Sequence, residues 1–136
     1  MSFLALARAQ FAVLFLLVTY LTVTPNPDET KLGIELTRWL AALIFGDSAL
    51  ADKIAHFLAY AALGASAALA RIRIGGRAFT VVAGLALYGA ALEGVQGLGG
   101  VRDPELADAL ANSLGAVAGF PAAAVVMGFF RRRAIP

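Results

Sequence analysis

The stretch LEGVQGLGGVRDPELADALANSLGAVAG, residues 92–119, places a regular series of polar side chains between and inside two strongly apolar segments. The series reads Glu93-x2-Gln96-x5-Arg102-x5-Asp108-x3-Asn112-x2-Gly115-x3-Gly119. Polar and ionisable groups are energetically costly inside apolar membrane segments, so their presence there indicates a functional position. A second polar piece begins another apolar segment: Asp52-Lys53-x2-His56-x3-Tyr60. We expect the two pieces to form one site.

The composition is that of a membrane protein. Of the 136 residues, 60% are hydrophobic and 15% are charged, and the mean hydropathy is +0.80. In soluble domains about a quarter of the residues are charged. The length predicts a single domain over residues 1–136. The chain contains no cysteine, which excludes disulfides, thiolate zinc sites and a cysteine nucleophile.

Four apolar segments predict four membrane helices, at residues 3–24, 52–70, 78–98 and 106–130. Each approaches the roughly 20 residues that a helix needs to cross the hydrocarbon core. The first ends before Pro25, and no small-x-small cleavage site follows it, so we expect a retained helix, with a cleaved signal peptide as the alternative. Pro121 predicts a kink or a lost hydrogen bond in the fourth. The predicted fold is an all-α integral membrane four-helix bundle.

The connection between the first two membrane helices contains a further periodic pattern. Its apolar residues fall at helical spacing opposite Glu35 and Arg38. They are Leu32, Leu36, Trp39 or Leu40, and Leu43. This pattern predicts an amphipathic helix, which either lies in the membrane interface or packs on the outer end of the bundle.

The charge distribution predicts the topology. Seven arginines occur in three segments that contain no acidic residue: Arg8, Arg71, Arg73, Arg77 and Arg131–Arg133. All nine carboxylates lie in the other connections or near the helix ends that face them. Positively charged loops stay in the cytoplasm, so both termini and the second connection are predicted to be cytoplasmic. The polar series then lies on the extracytoplasmic side of the membrane.

Helical spacing brings the polar groups together at that side. Residues three or four apart share a helix face, which applies to Asp52 and His56, to Glu93 and Gln96, and to the pair at 108 and 112. We therefore expect the polar groups to converge between three helices. The predicted ligand-binding residues are Lys53, His56, Glu93, Gln96, Arg102, Asp108 and Asn112. His56, Glu93 and Asp52 are the candidates for catalysis, if there is any.

The two motifs, in this order and with this spacing, resemble the VanZ-like family over residues 51–119. Gly100-Val101 departs from the Pro-Gly that the family places before the arginine at position 102. The resemblance implies a multi-pass protein of the bacterial cytoplasmic (inner) membrane. It also implies a link to resistance against glycopeptide antibiotics, chiefly teicoplanin. It implies no particular reaction.

The favoured hypothesis is a binding protein of the cell envelope. Lys53 and Arg102 are suited to a phosphate or carboxylate, and Arg can make a bidentate contact. The acidic residues would hold these cations in position. The expected partners are membrane lipids and, through the resemblance, a lipid-linked peptidoglycan precursor or a glycopeptide.

The sequence also allows other functions. In the main alternative, the protein is a membrane-embedded enzyme that modifies a lipid-linked substrate, with His56 as base and Glu93 as acid. The polar groups also fit a purely structural network, or a path through an oligomeric transporter. We expect no metal and no cofactor, because no ligand motif such as His-Glu-x2-His occurs. Nucleic-acid binding is not expected, and the residues leave the oligomeric state undetermined.

Overall fold

The computed structural model describes residues 2–23, 31–98 and 105–133, except the side chains of residues 31–34 and 130–133. Five α-helices account for nearly all of this part of the chain: α1 (Phe3–Val23), α2 (Lys31–Phe45), α3 (Ala51–Leu69), α4 (Phe79–Leu98) and α5 (Leu106–Arg133). A 3₁₀ turn at Ser48–Leu50 joins α2 to α3. The described residues form no β-strand, so the predicted all-α class is confirmed.

Three of these helices are long and apolar enough to cross a membrane. They are α1, α4 and α5, with the last counted over Leu106–Phe129. Within the described residues α3 does not meet the same criterion, because Asp52, Lys53 and His56 lower its hydropathy. Large apolar side chains cover the outside of the three helices. The three spans together indicate a membrane protein.

α3 and α5 run in the same direction with their backbones in close approach. Gly115 lies against the carbonyl oxygen of Phe57, and Gly119 lies against that of Ala61. A Cβ atom at either glycine would overlap these oxygens. Lipid provides no hydrophobic driving force between helices, so close contact between small residues is what stabilises such a pair. This interface fixes the start of α3 beside the start of α5.

α4 runs in the opposite direction, because residues 70–78 reverse the chain after α3. α1 lies alongside α4: the Phe15 ring stacks on the Tyr88 ring with centroids 4.5 Å apart. The Thr19 and Tyr88 hydroxyl oxygens are 2.5 Å apart. Nearer the ends of these two helices, Gln96 donates to the Thr22 carbonyl. The start of α3, the end of α4 and the start of α5 therefore lie together.

The amphipathic segment is helical, as α2, and it packs against α3. Among its described side chains, those of Thr37 and Ala41 are buried. The predicted apolar face is exposed, with Leu36 at 54% and Trp39 at 60% of full exposure. Within the described residues the apolar face is thus not covered by the rest of the chain.

α5 differs from its prediction at its C-terminal end. It continues to Arg133, beyond the predicted end at residue 130. It also remains α-helical through Pro121, which lacks an N–H and removes one hydrogen bond from the helix interior. The proline therefore weakens α5 locally without ending it.

Candidate functional site

The polar residues gather at one end of the helices. Asp52 is in the first turn of α3 and Asp108 in the first turn of α5, where the positive end of a helix dipole favours a carboxylate. Glu93 and Gln96 are near the end of α4. The basic loop between α3 and α4 lies at the opposite end. The convergence expected from helical spacing is thus present among the described residues.

A buried hydrogen-bonded chain links the three helices. The Asn112 amide donates from Nδ2 to Glu93 Oε1 over 3.3 Å. Its Oδ1 is 3.1 Å from His56 Nδ1, which therefore carries the donated hydrogen. Asn112 and Glu93 are 1% and 5% exposed. The carbonyl oxygen and the NH₂ group of the Asn112 amide are both hydrogen-bonded, so the amide is fixed and holds the imidazole of His56 in one orientation.

That orientation directs the other imidazole nitrogen at two carboxylates. His56 Nε2 is 3.9 Å from Asp52 Oδ1 and 3.9 Å from Asp108 Oδ2. One ligand atom from each of the three residues lies within 4.8 Å of the others, which is a possible arrangement for a metal ion. Lys53 Nζ is 3.3 Å from the second oxygen of Asp52 and 2.5 Å from that of Asp108. Each carboxylate is therefore shared between the lysine and the histidine.

Lys53 also contacts Glu105, with Nζ 2.5 Å from Oε2. Glu105 is not among the site residues predicted from the sequence. The available signal was its position directly before α5, where acidic residues favour the helix N-terminus. Three carboxylates surround the Lys53 ammonium group, and their combined negative charge exceeds its single positive charge. An anionic ligand must displace one of them to reach Lys53.

Exposure divides the site into two layers. The rim consists of Asp52, Lys53 and Glu105, whose side chains are 35%, 22% and 47% exposed. The floor consists of His56, Glu93, Asp108 and Asn112, of which His56 is the most exposed at 14%. Buried groups that lock the orientation of exposed ones are typical of a prearranged binding site. The floor holds the rim in place.

The other polar residues of the two motifs have separate positions. Gln96 donates from Nε2 to the Thr22 carbonyl oxygen over 2.6 Å, so it ties α4 to α1. Tyr60 is buried against the region of Gly89, and its hydroxyl has no hydrogen-bond partner among the described residues. Arg102 lies outside the described residues.

The serines of α3 and α5, Ser66 and Ser113, are not part of the polar site. Ser113 Oγ donates to the Ala109 carbonyl oxygen of its own helix over 2.8 Å. Ser66 is buried in α3, 10 residues beyond His56 in sequence. Within the described residues, neither hydroxyl is hydrogen-bonded to an imidazole or a carboxylate that would activate it.

Comparison with protein-family models, with curated protein sequences and with solved structures found no match. The VanZ-like resemblance therefore rests on the two motifs and their spacing, and it stays a prediction.

Proposed function

We propose that this is a VanZ-like multi-pass protein of the bacterial inner membrane, with an extracytoplasmic site that binds the anionic head of an envelope ligand. The observation that carries the proposal is the layered arrangement of the site. A buried, hydrogen-bonded floor orients a partly exposed rim that contains an ammonium group. Such an arrangement is expected where binding requires fixed geometry at a membrane surface.

Helix directions support a four-helix bundle with this orientation. α3 packs along α5 and provides a fourth crossing, with its charged residues confined to one end. The loop with Arg71, Arg73 and Arg77 lies at the other end, as does the C-terminal end of α5. The positive-inside rule then places this basic end, and both termini, in the cytoplasm. The exposed apolar face of α2 would lie in the outer interface, with Trp39 among the headgroups.

The ligand is proposed to bind Lys53 by replacing Glu105. An ion pair with an exposed partner contributes little stability, about 0–1 kcal/mol, so Glu105 is the carboxylate that a ligand displaces most easily. The buried Asp108 stays in contact with the ammonium and keeps it in position. A phosphate or carboxylate of the ligand would take the place of Glu105, with Arg102 as a second predicted cation. Lipid headgroups, lipid-linked peptidoglycan precursors and the glycopeptide teicoplanin all carry such groups.

A thermal-stability screen of the detergent-purified protein tests this proposal. The ligands are phospholipids, undecaprenyl-linked precursors, teicoplanin and divalent metal salts, since a bound ligand raises the unfolding temperature. Glu105→Gln should strengthen the response to the true ligand, and Lys53→Gln should abolish it. The exposed Asp47 at the same end provides the control, Asp47→Asn, which should leave the response unchanged. A response that survives in Lys53→Gln would contradict the proposed site.

Drug susceptibility tests the link to glycopeptide resistance. Cells that produce the protein should survive higher teicoplanin concentrations, and His56→Ala, Glu93→Ala or Arg102→Ala should remove this protection. Each variant should still be present in the membrane in normal amounts. Loss of all three variants from the membrane would instead identify the polar groups as a structural network.

The orientation of His56 favours one second candidate, a membrane-embedded enzyme. The imidazole nitrogen that faces the rim, Nε2, is positioned to accept a proton from water, as a general base does. Glu93 would then be the acid, or would position the base through Asn112. Incubation with a lipid-linked precursor, followed by mass spectrometry, separates the two functions. A product formed by the native protein and not by His56→Gln would establish catalysis, whereas unchanged substrate would support binding alone.

A further inference from the structure

A cavity of about 260 Å³ lies at the basic end, away from the polar site. It is located between the loop after α3 and the middle of α5. Arg71 and Arg73 line one side, and Phe120, Ala124 and Met127 line the other. The cavity therefore combines two cationic groups with an apolar wall.

Arg71 has an unusual backbone conformation. α3 ends in a Schellman motif: the Arg71 N–H bonds to the Ala68 carbonyl and the Ile72 N–H to the Ala67 carbonyl, each over 3.0 Å. The φ angle of Arg71 is +53°, the left-handed region that glycine normally occupies at this position. A non-glycine residue in this region is strained, because its Cβ approaches the backbone. The chain thus holds an arginine at the cavity despite a local cost in stability.

The charge around the cavity is of one sign. The loop contains a third arginine, Arg77, and no acidic residue. Arg73 Nη1 lies 3.5 Å from the Gly76 carbonyl oxygen. Across the described part of the chain, no carboxylate is within ion-pair distance of Arg71 or Arg73, whereas Lys53 at the other end has three. A guanidinium group without such a carboxylate is available to an external anion.

We propose that this cavity binds an anionic phospholipid. Arg71 and Arg73 hold the phosphate, since guanidinium groups match phosphate geometry. The upper part of one acyl chain lies on Phe120, Ala124 and Met127. Anionic lipids fit better than zwitterionic ones, whose ammonium group would enter the same positive field. This cavity is at the opposite end of the molecule from the proposed ligand site, and lipid binding there does not depend on which leaflet the basic end faces.

The test measures the unfolding temperature by circular dichroism in a neutral detergent with added lipid. Phosphatidylglycerol should raise it, whereas equal amounts of phosphatidylcholine or inorganic phosphate should not. Arg71→Gly should need about tenfold more phosphatidylglycerol for the half-maximal shift. The same variant should unfold at a higher temperature than the native protein without lipid, because glycine relieves the left-handed strain. Weaker binding would then not be explained by poorer folding.

Two further variants separate a site from a diffuse electrostatic effect. Arg77→Gln removes the same charge from the same loop, outside the cavity lining, and should respond to phosphatidylglycerol almost as the native protein does. Ala124→Phe keeps every charge but fills the apolar wall at an exposed position, and should weaken the response. Equal losses in Arg71→Gly and Arg77→Gln would overturn the proposal. An equal shift with phosphatidylcholine or with phosphate alone would also overturn it.

Discussion

The two ends of this molecule use charged residues in opposite ways. At the polar end, Asp108, Glu93 and Asn112 are buried, and the charged groups contact one another across three helices. At the basic end, Arg71 and Arg73 are exposed and carry no described ion pair. Buried charges are stable only in paired and hydrogen-bonded arrangements, whereas exposed arginines remain solvated or bind external anions. The polar end therefore depends on internal charge pairs for its stability, and the basic end does not.

The largest expected effect comes from a substitution that disrupts the floor of the polar site. Asn112→Leu removes the amide that joins His56 to Glu93 and leaves a buried carboxylate without this donor. We expect the free energy of unfolding to fall by about 2–4 kcal/mol, measured by thermal unfolding in detergent. Arg77→Gln at the basic end should change it by about 0.5 kcal/mol or less. Similar losses for the two variants would show that the ends do not differ as described.

Two glycine substitutions on α5 test whether the close contact between α3 and α5 stabilises the protein. Gly119→Ala places a methyl group against the Ala61 carbonyl, so the two helices must separate, at an expected cost of about 1–3 kcal/mol. Gly128→Ala, nearer the basic end, meets nothing within 4 Å and should be neutral or stabilising. Comparison of their unfolding temperatures provides the measurement. Equal destabilisation would contradict the close α3–α5 approach.

A smaller effect distinguishes the rim from the floor. Glu105→Gln removes one exposed partner of Lys53, and we expect a loss of about 0.2–1 kcal/mol that disappears at high salt. Asp108→Asn alters a buried partner of the same lysine and should cost more, with little dependence on salt. Unfolding curves at low and high ionic strength measure both. A large, salt-independent loss for Glu105→Gln would place Glu105 in the floor.

The smallest expected effect concerns the two central tyrosines. Tyr60→Phe removes a buried hydroxyl with no partner in the described part of the chain, so stability should stay the same or rise slightly. Tyr88→Phe removes the hydroxyl bonded to Thr19 and should cost about 1 kcal/mol. A clear loss in Tyr60→Phe would reveal a hydrogen bond to its hydroxyl.

Much of the fold was predictable because hydropathy is a local property. Apolar segments of helical length identified α1, α4 and α5, and the periodic segment before Ala51 identified α2. The exposure of the α2 apolar face was not predictable, because it depends on which residues pack against α3. Thr37 and Ala41 do so, since small side chains let two helices approach.

Most residues of the site could be predicted from the sequence, but many of the contacts between them could not. Spacing placed Asp52 with His56 and Asp108 with Asn112, because helical faces follow from sequence separation alone. It did not predict that Gln96 would bond to Thr22, since a backbone carbonyl leaves no signature in the sequence. Glu105 was missed for a related reason: its contact with Lys53 joins residues 52 positions apart.

The sequence by itself determined an all-α membrane protein with polar residues at one end and arginines at the other, because composition and helical period act locally. Tertiary structure decided which polar groups touch. The parallel approach of α3 and α5 brings Lys53 to Asp108 and His56 to Asn112, and the left-handed turn at Arg71 shapes the basic cavity. These contacts depend on the close approach of α3 and α5, where Gly64, Gly115 and Gly119 each lie against the backbone of the other helix.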